Sequence, residues 1–356
     1  MKTIIFVLAV AAATVTAAVA EAQSIATEVD VTTGFSTEDN VSAVASQLRV
    51  FGEVKPRIQF SVEGTWARRS SDETDAFGAA YPYGNRVELS EAYGERTFVR
   101  GAAVTSIRAG QYRSPFGISS RADYGYSGFL RAPLVRYEGY WSVTNMMLER
   151  GVDIVVGTPR FSVEASLGTP ADKGDLPRRS GLDTVIRAQG YFKAFVVGVS
   201  HINSQSYAPA FYGTHGRMDF TGLDVRWMRD GVQLRGEWMV GQPWDGPTTK
   251  GGYVDASIHR PFMGPVTVVL RTEQLNYIST RPFTWHGTPG FLGWEGRRQT
   301  VGGRIHLPGN LTAQLNLIRQ SEWLAYPDHT ALDVAFTYSI RAHNQKIAQP
   351  RADQER

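Results

Sequence analysis

One stretch of the sequence gathers residues that could act on charged solutes. Arg113 stands at its head, Arg121, Arg131 and Arg136 follow among Asp123 and Glu138, and Tyr124, Tyr126 and Tyr137 are interleaved with them. Guanidinium groups remain charged at any physiological pH and attract anions, while tyrosines supply rigid, amphipathic walls. The same stretch, residues 114 to 147, also carries Phe129, Leu130, Leu134, Tyr140, Trp141, Met146 and Met147. So much apolar surface is expected to pack against the body of the protein. Connections longer than about 12 to 15 residues are commonly functional, so the expectation is an inward fold that narrows an internal passage. An outward cap is the alternative.

Other chemistries find little support. With Cys 0, thiolate metal sites, iron–sulfur clusters and thiol nucleophiles are excluded. His201, His215, His259, His286, His306, His329 and His343 show no metal-ligand spacing. Ser257 and His259 share a strand face, but i, i+2 neighbours lie about 7 Å apart. Thr300 and His306 are separated by roughly 20 Å of strand. No Gly-x-Ser-x-Gly elbow is present. Neither an enzyme nor a cofactor is expected. The balance of 37 Lys and Arg against 34 Asp and Glu, a formal charge of +3, also argues against a nucleic-acid partner.

The elements that must position the arginine stretch are strands. Apolar and polar residues alternate with period 2 through segments of roughly ten residues, each closed by Gly, Pro, Asn or Asp. Leu234, Gly236, Trp238 and Val240 oppose Gln233, Arg235 and Glu237, and Thr221, Leu223, Val225 and Trp227 oppose Gly222, Asp224 and Arg226. The pattern predicts strands over 24–37, 41–54, 57–69, 87–98, 102–113, 148–159, 161–170, 183–192, 195–207, 219–229, 232–243, 251–262, 266–279, 297–308, 311–322 and 331–342. Tight turns such as Asp230-Gly231 and Pro308-Gly309-Asn310 alternate with longer loops, the longest being 114 to 147.

These features predict an all-β fold: a sixteen-stranded antiparallel transmembrane β-barrel with a long third loop. Most segments reach the roughly 9 to 11 residues that a tilted membrane strand needs. Aromatics such as Phe35, Trp66, Tyr191, Phe192, Phe195, Trp227, Phe262, Tyr277 and Trp323 sit near strand ends, as interfacial girdles do. Residues 1–22 read as a signal peptide, with Lys2 ahead of an Ala-rich apolar run, 23–342 as the barrel, and 343–356 as a polar tail. Outer-membrane lipid is therefore an expected partner and the outer membrane of a Gram-negative-type bacterium the expected location. A secreted, water-soluble β protein is the competing architecture.

On this phase the polar faces turn inward. They carry Arg49, Arg69, Arg187, Arg226, Arg235, Arg271, Arg298, Arg304 and Arg341 beside Glu28, Asp30, Glu63, Glu164, Asp224, Glu237, Asp255, Glu273 and Asp333. A lining so evenly charged holds water and suits small hydrophilic solutes, anions among them. The phase is ambiguous in the fourth strand, where Glu91 and Glu95 share a face with Leu89 and Tyr93. The alternatives are a plugged or binding barrel, and an envelope lipid hydrolase.

Ala109-Gly110-Gln111-Tyr112-Arg113-Ser114-Pro115-Phe116-Gly117, with Leu148-Glu149-Arg150-Gly151-Val152-Asp153-Ile154 after the long loop, resembles the phosphate-selective porin family of bacterial outer membranes. The resemblance implies a homotrimer, a third loop that forms a constriction, and a pore that favours anions. That family relies on lysines, whereas beyond residue 22 this chain has only Lys55, Lys173, Lys193, Lys250 and Lys346.

Overall fold

The computed structural model describes residues 24–71, 74–77, 87–118, 128–136, 143, 147–171, 181–204, 218–243, 247–278, 284–285, 288–289, 294–321 and 328–345. Sixteen antiparallel strands close into one barrel. They are β1 (Ser24–Ser36), β2 (Ser42–Lys55), β3 (Ile58–Arg69), β4 (Val87–Arg100), β5 (Ala103–Arg113), β6 (Leu148–Gly157), β7 (Phe161–Pro170) and β8 (Asp183–Phe192). The second half comprises β9 (Phe195–Ser204), β10 (Met218–Arg229), β11 (Val232–Gln242), β12 (Thr248–Ile258), β13 (Val266–Ile278), β14 (Trp294–Leu307), β15 (Leu311–Gln320) and β16 (His329–Gln345). Each strand pairs with its sequence neighbours, and β1 closes on β16 with Val29 opposite Ile340. Closure satisfies every strand edge. At Asp230 and Gly231, φ values of 49° and 74° make the tight reversal that matches strand twist.

The alternation read from the sequence is the alternation of the wall. On β7, Phe161, Val163, Ala165 and Leu167 are exposed, while Ser162, Glu164 and Ser166 are buried. Phe161, Phe192, Phe195 and Trp227 gather at the short-turn end, with the Phe195 and Trp227 ring centroids 6.3 Å apart. Two of the expected girdle aromatics face the other way. Tyr277 is buried in the interior, and the Tyr191 hydroxyl lies 2.8 Å from inward-facing Ser162 Oγ. Trp323 lies outside the described residues.

A β-bulge resolves the ambiguous phase of β4. Glu63 pairs with Glu91 but the next residue, Gly64, pairs with Leu89, so Ser90 is the extra residue. Leu89 therefore faces out, while Glu91 and Glu95, beyond the bulge, turn inward. Ser90 Oγ fastens the bulge by donating to Glu63 Oε1 at 2.8 Å.

Several strands outrun the hydrophobic pattern. β12 begins at Thr248, β14 at Trp294 and β16 ends at Gln345, which pairs with Ser24. The ladder needs only backbone groups, so pairing continues where apolar alternation has stopped. Inside the barrel lies an apolar cluster that the polar-in pattern did not foretell: Val185, Ile202, Phe220, Met239, Leu275 and Tyr277 face Phe116, Leu134 and Val143. No helix among the described residues is long and apolar enough to cross a membrane.

Candidate functional site

The long connection leaves β5 by turning into the barrel. Pairing between β4 and β5 ends at Ala92 opposite Gln111, and the Gln111 side-chain amide donates to the Leu89 carbonyl above that point. A side chain thus replaces the lost ladder. Arg113 is buried and ion-pairs with Glu63, which also lies 3.3 Å from Arg49. Phe116 follows, fully buried, and Gly117 takes a φ of +63° with its N–H donating to Ser200 Oγ at 3.0 Å. A Cβ at Gly117 would collide with the Glu237 carboxylate, so two constraints select glycine there.

Residues 128 to 136 then run along the inner wall from β16 back to β11. The Leu130 N–H donates to Asn316 Oδ1 of β15 at 2.8 Å, and Asn316 Nδ2 returns a bond to the Gly128 carbonyl at 3.2 Å. Arg298 of β14 donates to the Ala132 carbonyl, and Arg271 of β13 to the Arg131 carbonyl at 2.9 Å. Glu273 of β13 accepts from the Leu134 N–H at 2.6 Å. Arg136 Nε lies 3.4 Å from Glu237 of β11, and its terminal nitrogens donate to the Val143 and Phe116 carbonyls. Irregular backbone inside a barrel must find partners. Here inward-facing wall side chains supply them.

Arg131 is the centre of a buried charge cluster. Its Nε and Nη2 donate to the two Asp333 oxygens at 2.8 and 3.0 Å, and Nη1 donates to Asp75 at 2.8 Å and to Glu38. Asp75 also pairs with Arg298, whose Nε lies 2.8 Å from Glu273. Burial works against the Arg131 charge, yet Asp75, Asp333 and Glu38 hold its pKa well above the ordinary arginine value. Burial likewise raises Asp75, but the charges of Arg298 and Arg131 prevail and set it below the usual aspartate range. Glu38 is lowered in the same way, against burial, by a hydrogen bond with His329 and the charge of Arg131.

The expected lining residues Arg187, Arg235, Glu237, Arg271 and Glu273 all reach the interior. Arg187 Nη2 binds both oxygens of Asp224 at 2.9 Å. Asp255 sits between Arg235 and Arg271, at 2.8 and 2.6 Å, and the Arg271 guanidinium lies over the Phe129 ring at 3.9 Å. Arg226 and Arg304 are half-buried and thus nearer to water. Toward the short-turn end, Arg49, Glu53, Gln59, Ser61, Tyr93 and Glu95 line a cavity of about 450 Å³.

The arginine stretch is only partly what its composition suggested. Arg131 and Arg136 are engaged by the wall and by the segment's own carbonyls, so their charges hold the segment in place. Arg121, Asp123, Tyr124, Tyr126, Tyr137 and Glu138 lie outside the described residues. Glu38 and Asp75, which complete the Arg131 cluster, sit in loops where nothing in the local pattern marks them. His259 and His306 make ordinary contacts, Nδ1 lying 3.0 Å from the Val266 carbonyl and 3.1 Å from Thr312 Oγ1 respectively. Among the described residues no group of three His, Asp or Glu could hold a metal.

A closed sixteen-stranded antiparallel barrel, apolar outside and charged within, is the architecture of outer-membrane porins. No family model and no curated protein sequence matches the chain. Among solved structures it is similar to Salmonella typhi OmpF in complex with daunomycin, at a TM-score of 0.64 and 11% identity, over 90% of this chain and 98% of that one. Pseudomonas putida OprB in its high-pH structure gives 0.61 and 10%, over 89% and 93% of the two chains. The anion-selective porin from Comamonas acidovorans gives 0.59 and 12%, over 89% and 98%. At such identities the likeness is one of fold. These likenesses support the general porin fold and do not single out the phosphate-selective family.

Proposed function

We propose that this protein is an outer-membrane porin through which small hydrophilic solutes diffuse passively, with a weak preference for anions. The observation that carries this reading is the radial order of the wall: alternate residues such as Val163 and Leu167 meet lipid, while their neighbours Glu164 and Ser166 keep a hydrated interior. Such a path needs no cofactor. The segment 114 to 147 is the constriction, seated by Arg131 and Arg136 and shaped by Arg121, Asp123, Tyr124, Tyr126, Tyr137 and Glu138. Anion preference falls to the lining arginines that reach water, Arg226 and Arg304 first. The chain enters the envelope by loss of residues 1–22 and assembles as a homotrimer, as the family resemblance implies.

A plugged barrel is the second reading, favoured by how many wall groups grip residues 128 to 136. Reconstitution into a planar bilayer separates the two. Steady ohmic conductance steps with a permeability ratio tilted toward anions are expected of the pore. Silence from correctly folded protein overturns it in favour of the plug.

A further inference from the structure

The outer wall carries a groove that diffusion through the lumen does not use. Its volume is about 600 Å³, and it lies over β10 to β14. Gly252 of β12 stands opposite both Trp238 of β11 and Gln274 of β13, and Gly236 stands opposite Val254. Two outward positions therefore lack side chains, and the wall is hollowed between the Trp238 indole and the side chains of β13 and β14. One flank is apolar, with Leu223, Trp238 and Val254 all exposed. The other is polar, with Gln274, Arg297 and Gln299.

The groove straddles the edge of the apolar band. On β14 the outward series changes from Ile305 and Val301 to Gln299, Arg297 and Glu295. On β15 it changes from Leu315 and Leu317 to Arg319, which stands opposite Gln299. Lys250 adds a third cation on β12, opposite Asn276. Against these stands Glu295, which accepts from Arg297 Nε at 2.5 Å and from Gln274 Nε2 at 3.0 Å. The Arg297 side chain nevertheless remains 68% exposed. Apolar walls below and net positive charge above match the two ends of one kind of molecule.

We infer that this groove binds a membrane lipid with an anionic, phosphate-bearing headgroup, its acyl chain along Trp238 and Val254 and its headgroup at Arg297 and Arg319. Basic clusters at the membrane surface attract such headgroups. A second copy docked isologously through this face would set cations against cations. The site rests on the membrane-spanning reading but not on conduction.

The test is native mass spectrometry of the full-length protein in neutral detergent, titrated with phosphatidic acid, with phosphatidylcholine of the same acyl chains, and with inorganic phosphate alone. Preferential retention of phosphatidic acid is expected, weakened roughly fivefold by each of Arg297→Gln and Arg319→Gln. Val254→Trp, on an exposed outward position, fills the groove and should abolish retention of the lipid. Equal retention of the two lipids, or indifference to all three variants, overturns the proposal. Complete displacement of the lipid by inorganic phosphate overturns it in favour of a simple anion site. An oligomer that dissociates with Val254→Trp while lipid retention persists overturns it in favour of a second copy. Bilayer conductance is read in parallel. These variants lie outside the lumen and should conduct like the parent, so a silent parent that retains phosphatidic acid sinks the pore and leaves the lipid site standing.

Discussion

Arg131 and Asp333 are separated by 202 residues of sequence, yet Arg131 Nε donates to Asp333 Oδ2 at 2.8 Å, and a second, parallel bond reaches the other oxygen at 3.0 Å. The pair joins the long connection to the last strand. A two-bond fork fixes direction as well as distance. Because a buried ion pair roughly breaks even against a well-packed apolar pair, its value here is positional. It specifies where on the wall the segment lies.

Replacing Arg131 with Ala should free that segment. The change leaves Asp333 buried without its cation and Asp75 with Arg298 alone, a penalty of about 3 to 5 kcal/mol that the segment relieves by leaving the wall. Expected are frequent sub-conductance transitions and faster proteolysis within residues 114 to 147, with the strand signal in circular dichroism unchanged. Arg131→Lys keeps the charge but loses the fork, so it should fall between the two. Quiet, full-size channels from the alanine variant would remove the anchoring role.

Acid should act on the same anchor. Asp75 and Glu38 have pKa values below the ordinary carboxylate range, since Arg298, Arg131 and His329 outweigh burial. A depressed carboxylate binds fewer protons folded than unfolded. Its stabilisation is therefore complete above the unfolded value, about 4, and is lost as pH falls through the lower folded value. Between pH 7 and pH 5 the channel should stay quiet. Below about pH 4 closures or flicker should appear, reversing on neutralisation. Asp75→Asn should flicker already at neutral pH, and a variant as quiet as the parent would exclude this carboxylate as part of the anchor.

The barrel was legible in the sequence because its two solvents write opposite characters on alternate residues. Val163, Glu164 and Ala165 show the phase directly, and Asp230-Gly231 marks a reversal by the positive φ it requires. The Ser90 bulge was legible only as a conflict, since one inserted residue inverts every later facing on β4. What composition could not convey is what each arginine meets. Arg131 and Arg136 read as cations that attract anions, whereas Glu38, Asp75 and Asp333 engage Arg131, and Glu237 of β11 meets Arg136. Phe220 and Leu275 were illegible for a different reason: they are apolar residues turned inward to seat a loop, against the rule that governs the rest of the wall.

Selectivity should respond to Arg226 and Arg304 more than to the segment's buried arginines. Arg131 and Arg136 are closely matched by carboxylates, so their field is largely cancelled a short distance away. Arg226 and Arg304 are half-buried on the interior face. Charge reversal to Glu at both should lower the anion-to-cation permeability ratio measured from the reversal potential in a salt gradient, with single-channel conductance nearly kept. A ratio that moves only with Arg131 or Arg136 would transfer selectivity back to the constriction.

Ile186 and its neighbour Arg187 offer the most direct test of which medium surrounds the wall. Ile186 is 58% exposed near the middle of β8, while Arg187 is 6% exposed and binds Asp224 within. In a bilayer, Ile186→Arg places a cation against hydrocarbon at a cost of about 2 to 4 kcal/mol. In water the same substitution removes an exposed apolar group and should be neutral or favourable. Urea titration of folded protein in lipid vesicles is therefore expected to show a lowered midpoint for Ile186→Arg, and little change for Ile186→Leu. Equal midpoints for both variants would mean that this face does not meet lipid, and the pore and the lipid groove would fall together.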